Sequence, residues 1–200
     1  MSEFKKIPVI LDGDPGHDDA IGWTLAQGSG RFDILAVTSC SGNVGIEKTT
    51  YNTLRVCTLL GIDAPIAEGC PHPLTADVMN APSVHGESGL DGPALPEPAM
   101  EVCGLTAVEL MAKVLRESPE PVTIIPTGPE TNVAALLLAL CCLTAALTGC
   151  GQSAAGTRDD TDSKKVVIYT PTEDYLIEYM QQRLTAQFPD YDISLEYYHS

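Results

Sequence analysis

The sequence predicts an α/β protein: a parallel sheet with helices on both faces, truncated, with a smaller βαβ fragment after it. Three observations predict this. Apolar runs of strand length alternate with helix-length segments over residues 1–138. The turns that join most of them are short and made of Gly, Pro and small polar residues. An acidic stretch, Asp12-Gly13-Asp14-Pro15-Gly16-His17-Asp18-Asp19, lies where the first strand ends and the first helix begins, the edge at which ligands bind in such sheets.

Each element follows from a local pattern. Ile7-Pro8-Val9-Ile10-Leu11 is an apolar run that reads as a strand entering a core. The first helix starts at Ala20 and ends near Gly28-Ser29-Gly30. Phe32 to Thr38 is the second strand, Ser39 to Gly45 a small polar loop containing Asn43, and Ile46 to Leu60 a helix closed by Gly61. Pro65-Ile66-Ala67 is a short third strand. Successive βαβ units with short connections imply right-handed crossovers and a parallel, Rossmann-like sheet. Cys70 to Gly104 is a long loop rich in Pro and Gly, placed to cover the acidic stretch. Thr106 to Ser118 is an amphipathic helix with Val108, Leu110, Met111, Val114 and Leu115 as its buried set. Val122 to Ile125 is a strand, and Thr127 to Asn132 a tight loop opening another helix.

The pattern then changes. Val133 to Gly149 carries no charge and little amphipathic period. It reads as a buried helix in its first part, a displaced signal segment or a membrane anchor. Residues 139–163 form this apolar segment's end and a polar linker. Residues 164–200 contain a strand from Lys164, a helix capped by Thr170 with Leu176, Met180, Leu184 and Phe188 on one face, and a strand over Asp192 to Tyr198. One such unit cannot cover both faces of its own sheet.

Composition narrows the function. The net charge of −16 argues against nucleic acid as a partner, because phosphate binding needs a basic face. Seven cysteines, an odd number with no Cys-x-x-Cys pair, predict free thiols in a reducing compartment and argue against a disulfide framework or a zinc site. Met1 to Lys6 leads straight into a strand, so no N-terminal signal peptide is expected. Clustered carboxylates repel one another unless a cation holds them. Hard oxygen donors favour Ca²⁺ or Mg²⁺ over Zn²⁺. An EF-hand reading fails on spacing: His17 stands where Gly is needed and Trp23 where Glu is needed.

Asp12 to Ala20 resembles the N-terminal signature of the inosine-uridine-preferring nucleoside hydrolases. Ser41-Gly42-Asn43, His85-Gly86-Glu87-Ser88-Gly89-Leu90 and Pro126-Thr127-Gly128-Pro129-Glu130-Thr131-Asn132 follow in family order, and the resemblance covers about Ile7 to Leu138. It implies hydrolysis of the bond between ribose and base in a small nucleoside, with a bound Ca²⁺ and an activated water. By motif position, Asp14 and Asp19 would ligate Ca²⁺ with the Thr127 carbonyl, and Asp14 would also be the general base. Asp18, Asn43 and His85 would meet the substrate, while Asp12 and Asn132 would stand behind the ligands and orient them. The chain departs from the family in length. No segment after Leu138 matches the later half that supplies a further Asp ligand and often a His acid. His199 lies in an unrelated context.

The tail carries a second resemblance. Leu147-Thr148-Gly149-Cys150 is similar to a bacterial lipobox, with Cys150 as the lipidated residue. With the linker and the strand from Lys164 it resembles the start of a substrate-binding lipoprotein of an ABC transporter. The hydrolase resemblance implies a cytoplasmic protein. The lipobox implies a membrane-anchored one, associated through residues 133–150. The chain then reads as two N-terminal fragments joined near residues 135–140. A homo-oligomer is compatible with either reading.

Overall fold

The computed structural model describes residues 5–75, 77–92, 94–148, 164–170 and 191–197. The chain runs β1 (Ile7–Gly13), α1 (His17–Ser29), β2 (Phe32–Ser39), α2 (Ile46–Leu60) and β3 (Ile66–Ala67). It continues with α3 (Pro82–His85), α4 (Ala107–Glu117), β4 (Thr123–Pro126), α5 (Thr131–Thr148), β5 (Lys164–Thr170) and β6 (Tyr191–Tyr197). The strands form one sheet in the order β3-β2-β1-β4-β5-β6, with every pairing parallel.

β1 is central because it is apolar on both faces. Alternation along it divides the core. Val9 and Leu11 face one layer with Val37 and Ile66, where Trp23 of α1 and Val56 and Cys57 of α2 pack. Ile10 faces the other with Ala36, Ala67 and Ile124, where Leu110 and Met111 of α4 and Val133 and Leu136 of α5 pack. Helices therefore cover both faces, as expected. α1 and α2 stop at Gly30 and Gly61, each at φ 64°, the left-handed cap that glycine adopts without strain. Thr106 caps α4, its hydroxyl accepting from the Glu109 amide while the Glu109 carboxylate accepts from the Thr106 amide.

Chain order and sheet order part company at β1. β2 and β3 build outwards on one side, and β4 returns to the other. The carboxyl end of β1 is thus a topological switch point, and the acidic stretch begins there.

Three expectations change. The long loop contains one helical turn, α3. Val108, Val114 and Leu115 are half-buried beside the fully buried Leu110 and Met111, because α4 meets the sheet along a narrower stripe than its apolar arc. The strands of the expected C-terminal fragment join the main sheet, with Thr123 beside Val167 and Ile124 beside Ile168. The edge of β4 presents unpaired backbone groups, and β5 satisfies them. Cys40, Cys57, Cys70 and Cys103 are free thiols. Cys150, the linker and the expected helix over Leu176 to Phe188 lie outside the described residues. Among the described residues no helix is long and apolar enough to cross a membrane.

Candidate active site

β1 runs into the sheet edge and delivers Asp12 within the strand and Asp14 just beyond it, and α1 starts at once and turns Asp19 back on its third residue. All three carboxylates are buried, at 0, 5 and 2% exposure, in a protein of strongly negative charge. Such burial persists only with compensation, which comes from hydrogen-bond donors on the elements around it.

Asp12 is held from behind. Its Oδ1 accepts from the Thr38 hydroxyl of β2 at 2.6 Å and from the Asn132 side-chain amide of α5 at 2.8 Å. Its Oδ2 is buried without a hydrogen-bond partner among the described residues. Asp14 is gripped by Asn43, whose backbone N–H donates to Oδ2 at 2.6 Å and whose side chain donates to the Asp14 carbonyl at 2.9 Å. Asp19 accepts from the Thr127 hydroxyl and from the Gly16 amide. Thr127 is anchored in turn by its own amide, which donates to the Asp12 carbonyl at 2.8 Å.

Glycine makes room for Asp14. A Cβ on Gly42 would lie 2.0 Å from Asp14 Oδ2, and one on Gly128 would lie 2.5 Å from Oδ1. The carboxylate is therefore clasped between two backbones that no side chain could replace.

The electrostatics follow from burial and crowding. Burial, opposed by the Thr38 and Asn132 hydrogen bonds, pushes Asp12 up to about 7. Asp14 is also pushed up to about 7, by burial first and then by the charge of Asp19, against the Asn43 amide. Asp19 is raised by burial and lowered by Thr127. Without a positive charge nearby, all three acids ionise less readily than ordinary carboxyls. A divalent cation among them would restore the ionised forms. The orphaned Asp12 oxygen, the paired Asp14 and Asp19 carboxylates and the adjacent Thr127 oxygens are hard donors that fit Ca²⁺ or Mg²⁺. Among the described residues no three His, Cys, Asp or Glu side chains converge as a metal site by themselves. Backbone, hydroxyl or further oxygens must complete the shell. Burial and the neighbouring acids raise the Cys40 thiol, which stays neutral and acts as packing.

The remaining expected residues lie around this centre. Asp18 is exposed on the first turn of α1. His85, at the end of α3, is half-buried and rests on the turn before α1, where a Cβ on Gly16 would meet its Nδ1 at 2.6 Å and the Asn43 amide at 2.7 Å. Thr127, expected to act through its carbonyl, also engages Asp19 through its hydroxyl. Several partners had no sequence assignment. Thr38 is marked only as a polar residue at an inward strand position. Asn52, buried in α2, bridges the Pro15 carbonyl at 3.3 Å and the Ser88 carbonyl at 2.9 Å, and so fastens the long loop to the acidic turn. Its signal was a polar amide within an otherwise core-facing helix stripe.

Fold and site together define a parallel α/β protein whose topological switch point is lined with buried carboxylates. The family profile described as inosine-uridine preferring nucleoside hydrolase matches residues 9–143, and the chain belongs to that family. It is 60% identical over 132 residues to the pyrimidine-specific ribonucleoside hydrolase RihA of Citrobacter koseri, covering 66% of this chain and 42% of that protein. The RihA of Salmonella newport is 59% identical over the same length. Among solved structures, the purine-preferring ribonucleoside hydrolase from Gardnerella vaginalis superposes with a TM-score of 0.64 at 25% identity, covering 80% of this chain and 48% of that one. A plant nucleoside hydrolase superposes with a TM-score of 0.62 at 28% identity, covering 82 and 48%. The chain thus spans 42% of the length of these curated relatives.

Proposed function

We propose that the chain carries the metal- and ribose-binding half of a nucleoside N-ribohydrolase, a glycosidase acting on pyrimidine ribonucleosides. The observation that carries this is the convergence of Asp12, Asp14, Asp19, Asn43, Thr127 and Asn132 at the end of β1. The pyrimidine preference rests on the roughly 60% identity to proteins named as pyrimidine-specific.

In this reading Asp14, Asp19 and Thr127 hold Ca²⁺. When bound, the cation supplies positive charge that acidifies a water and secures the ionised carboxylates. Asp14, fixed by Asn43 and the two glycines, accepts the proton of the attacking water. Asp18 and Asn43 meet the ribose hydroxyls and His85 the substrate. The surrounding carboxylates stabilise positive charge as the glycosidic bond breaks. Asp12, Thr38 and Asn132 keep β1 and the ligand loop in place.

Two buried carboxylates and one threonine leave the cation short of protein donors among the described residues. We therefore expect the 200-residue chain to bind Ca²⁺ and to release ribose from uridine slowly or not at all. Calorimetry should show Ca²⁺ binding in the wild type and none in Asp14→Asn; absence of binding in the wild type overturns the metal-site reading. Rapid ribose release that Asp14→Asn abolishes overturns the incomplete-site reading.

A second reading concerns residues 139–200, which we read as the start of a substrate-binding lipoprotein with Cys150 as its lipidated residue, and with membrane association through residues 133–150. It is supported by the end of the family match at residue 143. Buried free thiols support the cytoplasmic alternative. Fractionation with mass analysis of Cys150 separates the two: a lipid adduct in the membrane fraction supports the first, an unmodified soluble chain the second.

A further inference from the structure

We propose that Arg55 is a positioning residue for the long loop: with Lys48, Tyr51, Asn52 and Thr58 it makes one face of α2 a rail on which residues 86–92 and 94–99 are seated before any ligand arrives. That the seated loop walls a ribonucleoside site rests on the hydrolase reading; that it is seated does not.

The second of these stretches has little means of holding itself. Pro96 and Pro98 have no N–H, and each keeps the residue before it extended, so Leu95 to Pro98 forms no helical turn and joins no strand. Its carbonyls find their donors on α2. Arg55 Nη2 donates to the Leu95 carbonyl at 3.1 Å, and Nε donates to the Pro96 carbonyl at 3.3 Å. A planar guanidinium carries several N–H groups in one fork and so serves two successive carbonyls at once.

The neighbours of Arg55 extend the contact. Positions 48, 51, 52, 55 and 58 fall on one face of α2. One turn before Arg55, the Tyr51 ring centre lies 5.4 Å from the guanidinium carbon. The Tyr51 hydroxyl donates to the Glu97 carboxylate at 2.7 Å. Thr58 Oγ1 accepts from the Ala99 amide at 3.0 Å. Nearer the start of α2, Lys48 donates to the Glu87 carbonyl at 2.5 Å and Asn52 to the Ser88 carbonyl at 2.9 Å. Apolar side chains seat the same stretch from beneath. Leu90 is buried with Trp23 and Val56, and Leu95 and Met100 pack against that cluster. The Asp91 amide donates to the His85 carbonyl at 3.0 Å, which carries the seating on to the residue beside the acidic turn.

Hydrogen exchange by NMR on the full ¹⁵N-labelled chain, free of metal and ligand, tests this. The Asp91 and Ala99 amides should exchange at least about tenfold more slowly than in an unstructured peptide; free-peptide rates overturn the proposal. Arg55→Ala should speed Ala99 by about tenfold or more, as expected for two lost bonds from a charged donor, with the β1 and β2 amides unchanged. An unchanged Ala99 rate overturns the proposal. The His85 ring signals should shift in that variant, which a loss of global stability in a still-folded chain would not cause, and unmoved signals overturn the positioning role. Arg55→Lys keeps a cationic donor and should give an intermediate Ala99 rate; a rate equal to that of the alanine variant overturns the role of the donated bonds. If Arg55→Ala does not fold, Thr58→Val decides. It removes the acceptor of the Ala99 amide with the side-chain shape kept, so Ala99 should exchange about fivefold faster, and an unchanged rate overturns the proposal. None of these readouts needs metal or turnover, so a seated loop in a chain that binds no Ca²⁺ counts against the metal-site reading and leaves this one standing.

Discussion

Asn132→Ala should unfold the chain far more easily than an exposed asparagine would. Asn132 is fully buried at the start of α5. Its side-chain amide donates to Asp12 Oδ1 and to the Ser39 carbonyl, both at 2.8 Å, and its carbonyl accepts from the Cys70 amide at 2.8 Å. One side chain therefore ties together β1, β2, the turn after β3 and α5. Alanine removes all three bonds and strands the groups they satisfied. An ordinary hydrogen bond contributes about 1 kcal/mol, and a buried group left without a partner costs about 1–3 kcal/mol. With a cavity at the same point, the expected loss is about 4 kcal/mol, a large part of the ~5–15 kcal/mol that stabilises a domain. Urea unfolding of metal-free chain, followed by the fluorescence of Trp23, measures it; Trp23 is the sole tryptophan and is buried. A loss below about 1 kcal/mol would show that water or relaxation replaces the asparagine and that the network is not structural. Asn132→Asp provides the contrast. A second carboxyl facing Asp12 should destabilise at neutral pH and recover in acid, where the two share a proton.

The same geometry predicts how other changes behave. Gly42→Ala drives a methyl into Asp14 Oδ2, so stability should fall by about 1–3 kcal/mol and Ca²⁺ affinity by about tenfold or more; calorimetry checks both, and unchanged affinity refutes the clasp. Asp12 and Asp14 titrate near 7 in the folded chain, against an ordinary 3.8. A raised folded value adds stability below the unfolded pKa, and that stability is lost as pH rises through the folded one. The urea midpoint of metal-free chain should therefore fall between about pH 5 and about pH 8 while Ca²⁺ affinity rises, and a midpoint that climbs over that range refutes it. Asn52→Leu removes the bridge between the acidic turn and Ser88. Limited proteolysis should then cut the loop near residues 86–92 faster, with the rest of the fold retained.

Much of the framework was legible because its causes are local. The first two helices end where expected, at Gly30 and Gly61, since a left-handed cap needs glycine whatever surrounds it. α4 lies within the stretch from Thr106 to Ser118 that its amphipathic period marked. The narrower stripe on α4 was not legible, because the depth of the groove it fills depends on α5 and on both adjoining strands. Nor was the joining of β5 to β4, because strand pairing across an intervening segment leaves no local trace.

The sequence by itself determined that four acidic residues stand on a strand-to-helix turn and that hard cation chemistry belongs there. Adjacent residues and a Pro-Gly break suffice for that. The tertiary structure decided what each acid meets. Thr127 comes to Asp19 across 108 residues and Asn132 to Asp12 across 120, and α3 sets His85 against His17 across 68. Burial among such distant neighbours, rather than composition, carries Asp12 and Asp14 to about 7. Desolvation and hydrogen bonding depend on what the folded chain brings alongside, and that is a property of no single stretch.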